Sequence, residues 1–141
     1  MAWMVFRINA YTKIEKMSKK IILTGTIFIA LAIVLGAFGA HGLKDFLTDV
    51  QSKSFETGVR YQTYHGLALL ILGFNASRFK RIDAIFYLIV TGVVIFSGSI
   101  YLLATQDLLG VSMSFLGPIT PLGGLLMLFA WIVFIVKVVR A

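Results

Sequence analysis

The chain has two histidines, His41 and His65, and no cysteine. Histidine titrates near neutrality and ligates metals, so these positions carry most of the acid–base or metal chemistry available here. Glu56, Arg60, Tyr61, Gln62 and Tyr64 precede His65, and Ser97, Ser99 and Tyr101 follow further along. Three readings fit the set. In the first, the histidines are structural: each closes or opens an apolar run and bonds a free carbonyl, a tyrosine hydroxyl or headgroup water. In the second, they bind a ligand or pass protons, tuned by the polar residues beside His65. In the third, two histidines and one or two carboxylates hold zinc, although no HxxxH pair gathers them.

The candidate pocket is therefore His41, Glu56, Arg60, Tyr61, Gln62, Tyr64, His65, Ser97, Ser99 and Tyr101, expected at the outer leaflet of a membrane. Catalytic motifs are missing: the chain has no P-loop, GxSxG, HExxH or dinucleotide fingerprint. The glycine-rich stretch Gly36–Gly42 ends an apolar run instead of following a strand, so it is no phosphate cradle. Without cysteine there are no disulfides, thiolate metal sites or cysteine nucleophiles. The expectation is a non-enzymatic protein without a cofactor.

The elements that must position these residues are apolar. Long runs occupy Ile21–Ala40, Tyr64–Ala76, Ile82–Ala104 and Leu122–Val136. The 141 residues are 59% hydrophobic and 13% charged, against about 25% charged in soluble domains. A span needs about 20 apolar residues, so four spans and their loops consume the chain. Backbone groups in lipid must bond internally, which permits helices or a closed barrel. Continuous apolarity without alternation excludes the barrel. The fold class is thus all-α, an integral membrane four-helix bundle, with a basic segment at 1–20 and one membrane domain at 21–139.

The net charge of +7 follows the span ends. Arg7, Lys13, Lys16, Lys19 and Lys20 precede the first span. Arg78, Lys80 and Arg81 separate the second and third, and Lys137 and Arg140 follow the fourth. Basic loops stay inside, so both termini are expected in the cytoplasm of a multi-pass cell-membrane protein. The distribution is a topology signal, which speaks against nucleic acid as a partner. The partners expected are the lipid bilayer and a membrane protein or a further copy of the chain. Met17-Ser18-Lys19-Lys20 reads as a natural start, with the upstream stretch an extension; an amphipathic segment on the inner membrane surface is the other reading.

Small residues mark close helix contacts. Gly25, Ala32, Gly36 and Ala40 form a stripe on the first span with Gly39 beside it. Gly66 and Gly73 share a face of the second span, and Gly98 and Gly123 lie on the third and fourth. Leu43, Phe46, Leu47, Val50 and Ser54 fall at helical spacing, predicting a short amphipathic helix on the outer surface. The next helix is expected to start near Ser52 as N-cap. Asp83 is placed near the start of the third helix, where it complements the dipole, and Pro118 and Pro121 at the start of the fourth. The loop Thr105–Thr120 is expected to lie over the bundle mouth.

Three stretches together carry a resemblance: Leu35–Lys44 (LGAFGAHGLK), Thr57–Ile71 (TGVRYQTYHGLALLI), and Phe96–Ala104 with Ile119–Met127 (FSGSIYLLA and ITPLGGLLM). The chain resembles the YgdD/YwdK-type small membrane proteins, a family of unknown function, over roughly Lys20 to Val138. Gly66 departs from the alanine expected after the Tyr-His pair. The resemblance implies a four-helix membrane fold and no established activity. Its hallmark positions fall on Gly36, Gly39, His41, Gly42, Gly58, Arg60, Tyr61, Gln62, Tyr64, His65, Ser97, Gly98, Pro121 and Gly123.

Overall fold

The computed structural model describes residues 2–79 and 82–140; side chains at 2–11 and 13 are outside that description. Lys80 and Arg81, counted in the charge argument, therefore lie outside the described residues, as do the side chains of Arg7 and Lys13. Four helices form an all-α bundle: α1 (Ala2–Ala37), α2 (Asp49–Phe74), α3 (Ile82–Leu109) and α4 (Ile119–Val139). Among the described residues, three helical stretches are long and apolar enough to cross a membrane: Ile14–Gly42, Ile82–Leu109 and Ser114–Val139. α2 is not among them: its first half carries Asp49, Lys53, Glu56 and Arg60, and Gln62 and His65 follow.

α1 runs without interruption through residue 20, so the basic segment and the first apolar run share one helix. It closes in a π-helical turn, Phe38–Gly42. The separate amphipathic helix expected from Leu43 is not formed. Residues 43–47 are turns, and Leu43 is buried against Phe55 and Ala104. α2 starts earlier than expected. Its N-cap is Thr48, not Ser52: the Thr48 hydroxyl accepts from the Gln51 N–H and the Gln51 side chain accepts from the Thr48 N–H. This is the S/T-x-x-E/Q capping box, legible in Thr48-Asp-Val-Gln51. Asp83 and Pro121 do fall in the first turns of α3 and α4. α3 continues to Leu109, so the α3–α4 loop is shorter than Thr105–Thr120. Gly110, at φ 64°, supplies the left-handed residue that ends it.

The helices pack in sequence, α1 on α2, α2 on α3 and α3 on α4. Glycines set the approach. A Cβ on Gly25 would meet the Gly66 carbonyl oxygen at 2.8 Å, and one on Gly66 would meet Ile29 at 2.9 Å. Across α3 and α4, Gly92 and Gly123 face each other's carbonyls, and a Cβ on Gly123 would strike the Phe96 backbone N. The main core joins Ile21, Leu69, Leu72, Ile85, Phe86, Ile89, Val93, Met127 and Ala130. Outside it, Leu23, Ile33, Val34, Ile71, Val94, Leu125, Leu128 and Ile135 are exposed. Large apolar side chains on the surface as well as in the core suit a molecule solvated by lipid.

Candidate functional site

α2 antiparallel to α1 fixes the level of each polar side chain. Gly73 packs on Ile22, Gly66 on Gly25, Val59 on Gly36 and Phe55 on Gly39. His65 therefore lies beside the Gly25 level of α1, and His41 is sixteen residues further along that chain, about 24 Å at 1.5 Å per residue. The two histidines do not share a level, which corrects their placement in one outer-leaflet pocket. A helical rise of 1.5 Å also sets His65 about 13 Å before the end of α2 at Phe74. His41 sits exposed at the opposite end, on the π-helical turn.

His65 is buried, with both ring nitrogens engaged. Nδ1 lies 2.9 Å from the Tyr61 carbonyl oxygen, and the Trp131 indole N–H donates to Nε2 at 3.2 Å. A carbonyl can only accept and an indole N–H can only donate. The ring is thus the neutral tautomer protonated at Nδ1. Tyr61 stacks on it at 6.2 Å between centroids and also packs on Phe96 at 4.8 Å.

Closer to the α2 N-terminus, a second set of polar groups ties all four helices. The Gln62 amide N donates to the Phe28 carbonyl of α1 at 2.9 Å, and its oxygen accepts from the Tyr101 hydroxyl of α3 at 2.9 Å. Ser97, 1% exposed, donates to the Gly58 carbonyl at 2.9 Å. Gly58 is glycine because the Tyr101 ring lies where its Cβ would be, at 2.8 Å. Ser99 bonds the Thr120 hydroxyl of α4 at 2.7 Å. Gln62, His65, Ser97, Ser99 and Tyr101 are therefore brought to the helix interfaces, each with a partner. Among the described residues no buried side-chain nitrogen or oxygen lacks one.

Glu56, Arg60 and Tyr64 lie on the outside of α2. Glu56 and Arg60 pair at 3.8 Å with both side chains more than half exposed, a geometry of small energetic value. Tyr64 packs on Tyr61 at 6.4 Å. A shallow groove of about 160 Å³ runs between α1 and α2, lined by Gly36, Gly39, Ala40, Ser52, Phe55 and Glu56. Among the expected packing glycines, Gly39, Gly66, Gly73 and Gly123 have neighbours a Cβ would crowd. Gly36 would meet only Val59, at 3.4 Å, and Gly98 would meet nothing within 4 Å. Among the described residues, no three His, Asp or Glu gather as a metal set.

Residues the sequence reading missed are partners of those it found. Trp131 was unmarked, although a lone indole in an apolar run needs an acceptor for its N–H. Thr120 and Gly92 gave no isolated signal. At the basic end, Lys20 donates to the Tyr87 hydroxyl at 2.9 Å and lies 4.8 Å from the centre of that ring; this anchor was also unmarked.

Residues 35–124 match the family described as "Protein of unknown function (DUF423)". The UPF0382 membrane protein YwdK of Bacillus subtilis is 39% identical over 125 residues, covering 86% of this chain and 98% of its own. A UPF0382 membrane protein of Staphylococcus epidermidis is 37% identical, covering 86% and 97%. Another from Staphylococcus haemolyticus is 38% identical, covering 84% and 94%. No solved structure matches. The match extends from the Gly36–Gly42 run through the α2 and α3 polar residues to Gly124, and the chain belongs to the DUF423/UPF0382 family of multi-pass membrane proteins.

Proposed function

We propose that this is a non-enzymatic membrane protein that acts by packing, as a scaffold or modulator of a membrane partner or of lipid. The observation that carries the reading is the saturation of the buried polar groups. His65, Gln62, Ser97 and Ser99 each spend their hydrogen-bonding groups on a neighbouring helix or on backbone. Groups that satisfy one another rigidify a bundle, whereas a ligand site keeps convergent polar groups facing a cavity. What the molecule presents outward is an apolar surface interrupted by the charged half of α2.

In the proposed topology all four helices cross and both termini are cytoplasmic. α2 supports the fourth crossing: its contacts run from Ile22 to Gly39, nearly the whole apolar run of α1. Basic residues at the Lys20 and Lys137 ends support the inside assignment.

Native mass spectrometry of gently extracted protein tests the function. A polypeptide or phospholipid retained in fixed ratio is the expected result. A small organic molecule retained by wild type and lost from a folded His41→Ala/His65→Ala double variant would overturn the reading in favour of a ligand-binding protein.

A further inference from the structure

We infer that the outward face of α2, from Lys53 to Tyr64, docks against the same face of a second copy of this chain. The inference deepens the partner-binding reading above by naming the partner. Its first ground is depth. Val59 packs on Gly36, and Gly36 lies four residues, about 6 Å, inside the end of the apolar run at Ala40. Arg60 is therefore set among residues at which α1 exposes Ile33, Val34 and Phe38 to lipid. Ionisable side chains at such levels face a bundle interior or pair with one another; Glu56 and Arg60 stand on the outside, and the pairing they make within one copy is an exposed contact at 3.8 Å.

Charge complementarity is the second ground. The Glu56–Arg60 contact, from Arg60 Nε to Glu56 Oε1, is 3.8 Å long, well beyond the roughly 2.7–2.9 Å of the charge-assisted bonds by which arginine binds carboxylate most strongly. A two-fold axis along the membrane normal sets two α2 helices parallel. Each Arg60 then reaches the Glu56 of the other copy, one helical turn away, and each Glu56 receives an arginine. An isologous contact needs such a self-complementary patch. The groove lined by Gly36, Gly39 and Ala40 borders the face, and Tyr64, 58% exposed, adds an aromatic anchor of the kind enriched at interfaces.

The test exploits the missing cysteines. Lys53→Cys, Tyr64→Cys, Ile33→Cys and Leu128→Cys variants of the full chain are oxidised in native membranes and resolved by mass. Disulfide dimers at Lys53→Cys and Tyr64→Cys, about tenfold above the α1 and α4 controls, are expected. In the Tyr64→Cys background, Arg60→Glu should cut the dimer about tenfold, as like charges meet, and Glu56→Arg/Arg60→Glu should restore it. Cross-linking equal at all four positions, or indifferent to charge reversal in protein that still melts like wild type, overturns the inference. An adduct of a mass other than twice the chain overturns self-pairing and leaves the scaffold reading standing. A face occupied by phospholipid alone also overturns self-pairing, and a bound small molecule in the extracted protein counts against the scaffold reading itself.

Discussion

The Trp131 indole N–H donates to His65 Nε2 at 3.2 Å, joining α4 to α2 and deciding which imidazole nitrogen carries the proton. With Nε2 accepting, Nδ1 must donate to the Tyr61 carbonyl. The ring is held by two elements and stacked by Tyr61. Imidazole ¹⁵N shifts of the protein in lipid should report the Nδ1–H tautomer. Trp131→Phe keeps an aromatic ring and removes the donor, so the tautomers should mix and the protein should lose about 1–2 kcal/mol. An unaltered ¹⁵N spectrum in that variant would discard the hydrogen bond.

The Gln62–Tyr101 bond should behave as a modest tie. Hydrogen bonds between membrane helices average about 0.6 kcal/mol, with a maximum of about 1.7. Tyr101→Phe and Gln62→Leu, combined in a double-mutant cycle on unfolding, should couple by an amount in that range. Zero coupling would mean that the hydroxyl and the amide act independently.

Glycine substitutions should separate by position. In Gly123→Ala, the new Cβ meets the backbone of Phe96 and Gly92, which cannot move aside without shifting α3. A loss of about 3 kcal/mol or more is expected. Gly98→Ala enters open space and should change stability by no more than about 1 kcal/mol, on the stabilising side, because alanine favours helix. Thermal melts of the two variants in one detergent decide the matter, and equal melting points would contradict the packing described.

Arg60→Gln tests whether the exposed ion pair holds the protomer together. Both side chains are more than half exposed at 3.8 Å, so the folded monomer should lose less than about 1 kcal/mol. A larger drop in unfolding free energy, measured on monomeric protein, would assign Arg60 a role inside the bundle.

The proposed topology predicts that Ser112→Cys, on the α3–α4 loop, reacts with an impermeant maleimide from outside intact cells. Labelling confined to inside-out vesicles would invert the orientation.

The sequence by itself determined the environment and the all-α class. Continuous apolar runs in a chain with 13% charge leave no other way to satisfy the backbone in lipid, and local chemistry placed Asp83 and Pro121 in the first turns of their helices. It also marked Gln62, His65, Ser97 and Tyr101, because polar groups stand out against apolar neighbours. Their arrangement was decided by the tertiary structure. The register between α1 and α2 follows from which glycines meet, Gly66 on Gly25 and Gly73 on Ile22, and that depends on pairing two surfaces. It separates His41 from His65 and gives His65 to Trp131, a partner 66 residues away. Apolar periodicity along one helix is blind to this, since in lipid both buried and exposed faces are apolar. The capping box at Thr48 was legible in four consecutive residues, whereas the facing of Gly92 and Gly123 existed only once α3 and α4 were side by side.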